Sequence, residues 1–141
     1  MENGKWKMEN LTYADERSIL ESQKINNHWT FEGKIRAFGQ VGKNIYHHRK
    51  VIKTENELNW LIEDRVENAP AHLPIHQIWH PSPAFFEQFT IRAYAEDGQE
   101  IAFQETEGWY SSLYGQKEPA RRLVFTPPTP YIRTEISHIQ R

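Results

Sequence analysis

Phe89, Ile91 and Ala93 alternate with polar residues as far as Glu96-Asp97-Gly98-Gln99, and Ile101 and Phe103 alternate after it. Two alternating runs joined by an Asp-Gly pair form the strongest short hairpin signal a sequence carries. A type I′ turn needs positive φ at both central residues, and Asp-Gly tolerates that. Alternation of period two also fixes which side chains share a sheet face.

The rest of the chain is punctuated in the same way, with short apolar runs between turn residues. Asn44–Lys53 ("NIYHHRKVIK") is rich in β-branched and aromatic residues and predicts a strand. Leu58, Trp60 and Ile62 then alternate with polar positions up to a stop at Asn68-Ala69-Pro70. His72–His80 ("HLPIHQIWH") predicts a further strand. Its Leu73, Ile75, Gln77 and Trp79 fall on one face, with His72, Pro74, His76, Ile78 and His80 on the other. Leu123–Phe125 and Tyr131–Ile139 supply the last two strands, split by Pro127-Pro128. Residues 1–22 read as a flexible lead-in with at most one edge strand around Ser18–Lys24, and 23–141 as one β domain. No helix-period segment of ten residues occurs. The expected fold is all-β: an antiparallel sandwich of about eight to ten short strands, because one sheet cannot cover this many aromatic residues on both faces.

Composition narrows the function. Seventeen basic residues against 19 acidic ones leave a net charge of −2, which supplies no basic field for nucleic acid. With no cysteine, the chain has neither thiol nucleophile nor thiolate metal site. No apolar run approaches a membrane span. The charged start "MENGKWKMENLTYADERS" lacks the apolar core of a signal peptide.

Candidate chemistry is sparse. His72, His76 and His80 lie at spacing four on a strand, about 13 Å apart, too far to share one metal ion. No metal or cofactor is therefore expected. Ser111 and Ser112 lie in Trp109-Tyr110-Ser111-Ser112-Leu113, without a nucleophile-elbow context. Glu105 and Glu107 share a predicted strand face and read as solvated carboxylates, with no mark of a glycosidase pair. The aromatic and cationic set is more suggestive. Trp79, Tyr110 and Tyr114, with Arg49, Arg92, Arg121 and Arg122, are the residue types that stack on sugar rings and grip carboxylate or sulfate. The same residues can serve as core and corner, with arginine stems packed along rings.

Four segments occur together in one order: Tyr46-His47-His48-Arg49-Lys50-Val51, then "LNWLIEDRV" containing Asp64, then "QIWHPSP", then "EGWYSSLYGQKEPARRLVF" followed by "YIRTEI". From about Asn26 to Ile136 this pattern resembles the C-terminal β-sandwich of heparinase II/III-like polysaccharide lyases. Position 48 carries His where that family often has a second basic residue. The resemblance implies a domain attached to an α/α toroid that cleaves uronic-acid-containing polysaccharide by β-elimination. For many full-length members it implies a periplasmic or secreted setting. It transfers no catalytic residue, because the positions that would match lie outside this chain. At the matching positions, His47, Arg49, Asp64, His80, Ser111, Tyr114 and Gly115, it implies architectural roles.

The expected function is thus a non-catalytic C-terminal sandwich that braces the toroid, with the toroid or its own parent chain as partner and an acidic polysaccharide as a possible ligand. The alternative is a free-standing carbohydrate-binding or protein-interaction module. Candidates for carbohydrate contact or domain interface are His47, Arg49, Trp79, Arg92, Tyr110 and Tyr114. An accessory domain is expected to expose a broad apolar face and to have no convergent polar pocket. A binding module should show exposed, coplanar aromatic rings beside arginine, and an enzyme a cleft holding a Tyr or His with a perturbed pKa. Gly108–Phe125 reads as a corner, anchored by Trp109 and Tyr110, turned by Gly115 and returned to a sheet by Leu123–Phe125.

Overall fold

The computed structural model describes residues 5–7 and 19–140; most of the expected lead-in lies outside them. Eleven strands and one helical turn occur in the described residues. They run β1 (Lys5–Lys7), β2 (Ile19–Ile25), β3 (His28–Arg36), β4 (Tyr46–Thr54), β5 (Asn59–Glu67), β6 (Gln77–Trp79), α1 (Phe85–Gln88), β7 (Phe89–Tyr94), β8 (Glu100–Ile101), β9 (Gln104–Tyr110), β10 (Glu118–Phe125) and β11 (Tyr131–His138). All pairings are antiparallel. They form an eight-stranded sheet, β1-β2-β3-β4-β5-β11-β7-β8, and a three-stranded sheet, β6-β10-β9. The all-β sandwich stands, with a strand count above the expected range because β1, β6 and β8 have three residues or fewer.

Three local expectations are corrected. The strand read over His72–His80 shrinks to Gln77–Trp79, since Pro70 and Pro74 leave no continuous set of ladder donors upstream. The Asp-Gly hairpin joins β7 to β8 as expected, but Gly98 alone has positive φ there (+90°). Gly98 N donates to Ala95 O (2.9 Å) and Ala95 N to Gln99 O (2.8 Å). That is the three-residue form, a turn closed by a left-handed glycine, in place of a type I′ turn. The two-residue turn with positive φ at both positions is at Asn26 (+49°) and Asn27 (+66°), between β2 and β3. The strand around Ser18–Lys24 is β2, and it is not an edge, because β1 pairs along its other side.

Register places one row across the large sheet: Ser22, Phe31, Val51, Ile62, Thr134 and Ala93. This inner face meets the small sheet through polar side chains at β4 and β5, and packs its apolar core against it over β11 and β7. There Leu123 and Phe125 pack with Ile91, Ala93 and Ile132, flanked by Trp79, Phe85 and Phe103. Further along the same face, Phe31 and Ile35 of β3 are exposed, whereas Ser22 of β2, next to Phe31 in the row, is buried. The outer face carries Glu32, Lys34, His48, Lys50, Arg65, Arg92 and Arg133, with ion pairs such as Lys34–Glu67 at 2.9 Å.

Candidate functional site

Asp64 lies on the inward side of β5, only 6% exposed, directly opposite Arg49 of β4. Arg49 Nε donates to Oδ1 at 2.7 Å and Nη2 to Oδ2 at 3.0 Å, a two-pronged grip. His47, two residues back on the same face, places Nε2 2.8 Å from Oδ1. An ionised carboxylate only accepts, so Nε2 carries the proton there. Gln77 of β6, in the other sheet, donates Nε2 to Oδ2 at 2.7 Å. Its Oε1 accepts from Trp79 Nε1 (2.8 Å) and from the fully buried Thr134 hydroxyl of β11 (3.0 Å). Arg49 also lies over the Trp79 ring at 5.5 Å.

This network clasps the two sheets together. Burial pushes the Asp64 carboxyl up, but hydrogen bonds from His47 and Arg49, the Arg49 charge and the Gln77 amide outweigh it and hold the pKa at about 2. With both oxygens occupied and so low a proton affinity, Asp64 makes a poor general base. The one tyrosine with a resolved shift among the described residues moves away from base chemistry: burial and the Glu63 charge push Tyr131 up.

Of the six candidate residues, the fold gathers His47, Arg49 and Trp79 in this clasp. Arg92 is apart, an exposed residue of β7 lying 3.7 Å from Glu100. Tyr110 ends β9, and Tyr114 is fully exposed in the loop after it. In that corner Gly115 does turn the chain (φ +78°), and Leu123 and Phe125 do return into the core. Trp109 does not anchor it, being 60% exposed with Lys117 over its ring at 4.3 Å. Glu105 is exposed and gripped by Arg121 across the small sheet. The histidines stay separate: His76 Nδ1 pairs with Thr126 Oγ1 at 2.8 Å. No group of three metal-ligating side chains forms among the described residues.

Gln77 and Thr134 were not singled out from the sequence. Gln77 did carry a signal, as the one polar residue on the apolar face Leu73, Ile75, Gln77, Trp79. Continuing the alternation Leu58, Trp60, Ile62 by one step likewise puts Asp64 on the buried face. A polar group in such a position needs partners.

Beside the clasp is a cavity of about 150 Å³, lined by His47, Arg49 and Gln77 and walled by Phe38, His76 and Tyr131. A second cavity of about 140 Å³ adjoins it across Phe38, Val66, Ile75 and His76, and is otherwise apolar. On β3 the inner face carries the half-buried Trp29 and the exposed Phe31, stacked at 6.5 Å and 21°, with Lys24 5.3 Å from the Trp29 ring.

No protein-family model and no curated protein matches the chain. The fold is similar to a solved structure of a heparinase III with methylated lysines, with a TM-score of 0.62 and 16% identity. The match covers 88% of this chain and 21% of that one, so the chain spans about a fifth of the heparinase III length. At that identity the likeness is one of fold, between this sandwich and one portion of a much longer chain.

Proposed function

We propose that this chain is a non-catalytic C-terminal β-sandwich domain of a heparinase II/III-like polysaccharide lyase. In this reading it braces the helical domain that performs β-elimination on uronic-acid-containing polysaccharide. The observation that carries it is the saturated clasp. The titratable cluster His47, Arg49 and Asp64 uses its carboxylate to tie two sheets together. Fold likeness to part of a heparinase III adds support, as do the four sequence segments that resemble the family.

The exposed Phe31 and Ile35 of β3 give the helical domain apolar side chains to cover, while the outer face stays charged and solvated. The stacked Trp29–Phe31 pair supports a second reading, a carbohydrate-binding module that works without a catalytic partner, with Lys24 in place of the expected arginine. Mixing the chain with its helical catalytic domain separates the two. Bracing predicts a stable complex with raised lyase activity, and loss of both in Phe31→Glu. Saccharide binding without association would establish the module instead.

A further inference from the structure

Where this chain needs a left-handed residue other than glycine, it uses asparagine at Asn26, Asn27, Asn44, Asn56 and Asn68. Asparagine tolerates that region because its short side chain bonds locally. Among the described residues one position breaks the pattern: Phe38, at φ +56°. A bulky side chain there is a true outlier, and such strain concentrates at ligand-facing sites. The loop holds it in place, since Phe38 O accepts from Val41 N at 2.9 Å and from Gly42 N at 3.3 Å. Burial of the ring does not offset the strain, because Phe38 is 51% exposed. Phe38 instead lines both of the adjoining cavities, together with Val66, Ile75 and His76.

Three polar side chains line the first cavity with part of their bonding capacity spare. Arg49 spends Nε and Nη2 on Asp64, which leaves Nη1. His47 spends Nε2 on Asp64, which leaves Nδ1. His76 spends Nδ1 on Thr126, which leaves Nε2. No hydrogen bond from another described residue reaches these three atoms. Asp64 already matches the Arg49 charge, so the cavity has no unmatched charge that demands an anion. About 150 Å³ is the volume that holds a benzene-sized ring of six heavy atoms. A pyranose, with about twelve, would seat its ring in this open cavity and leave part of its exocyclic groups at the mouth.

We infer that this cavity is a binding site for a single pyranose unit. One face of the sugar lies on Phe38, and its hydroxyls bond Arg49 Nη1, His47 Nδ1 and His76 Nε2. Phe38 is strained because it presents its ring to that ligand. The site goes beyond the bracing reading and does not rest on it.

The test is an NMR titration of the 141-residue chain with glucose and, separately, glucuronate. A ligand of this size in a pocket of this kind binds with a Kd on the order of millimolar. Saturable shifts are expected at Phe38, His47 and His76 with either sugar, and a preference for one reports whether a carboxylate adds to the hydroxyl contacts. Phe38→Asn keeps the left-handed turn and removes the ring. It is expected to weaken binding about tenfold or more while Tm holds or rises by about 3 °C. His76→Ala, outside the Asp64 clasp, should weaken binding with Tm unchanged.

Absence of a saturable shift with both sugars overturns the inference, as does unchanged affinity in Phe38→Asn or His76→Ala. Shifts confined to Trp29 and Phe31, or to Trp109, also overturn it. So do cavity signals that move with a helical catalytic domain and not with sugar, which would make the cavity a docking socket. None of the sugar outcomes touches the bracing reading, which is judged by complex formation.

Discussion

Asp64 accepts four hydrogen bonds from three residues in two sheets, so its loss leaves buried donors facing nothing. Asp64→Asn should cost about 3 kcal/mol in urea denaturation. The pH dependence has a definite sign. Its carboxyl lies below the ordinary 3.8, at about 2. The stabilisation is therefore fully present above about pH 4, shrinks as pH falls toward 2, and is gone below that, some 2 kcal/mol in all. Between pH 4 and pH 2 the wild type should lose about that much more stability than Asp64→Asn. Glu105 offers the contrast. Its pKa is also lowered by hydrogen bonding to Arg121, but the pair is solvent-exposed, so Glu105→Gln should leave the unfolding midpoint almost unmoved in moderate salt.

At the scale of elements, the strands with clean alternation were legible: β4, β5, β7 and β11 lie close to where the residues put them. Missing was β3, His28–Arg36. Its Trp29, Phe31 and Ile35 alternate, but Gly33 and two charged residues dilute the run, and the Asn26-Asn27 turn lacks the glycine that marks a hairpin. Conversely, "HLPIHQIWH" alternates well and is mostly not strand, because a one-dimensional pattern does not report which backbone groups have a neighbour to pair with. The site followed the same logic. His47, Arg49 and Trp79 stood out as residue types and Gln77 as a polar residue on an apolar face, whereas Thr134 became visible only once β6 and β11 lay on opposite sides of the core. Asn27 should be sensitive to its backbone: Asn27→Ala should lose about 1 kcal/mol and Asn27→Gly should retain most of the stability, both read by chemical denaturation.

For the whole molecule, the eight-stranded sheet is wider than the three-stranded sheet that covers it. In the bracing account, the exposed Phe31 and Ile35 are part of the surface that the helical domain covers. Phe31→Glu should leave the fold intact, since the residue is already exposed, yet abolish association with the helical domain in analytical ultracentrifugation. The most direct test of the bracing account is lyase activity on heparan sulfate, alginate and related uronates, followed by absorbance of the unsaturated product. It would be measured for this chain alone, for its helical catalytic domain alone, and for the two together. The account predicts silence from the chain alone and activity in the mixture well above that of the helical domain by itself. Activity from this chain alone, or a mixture no more active than the helical domain, would contradict it.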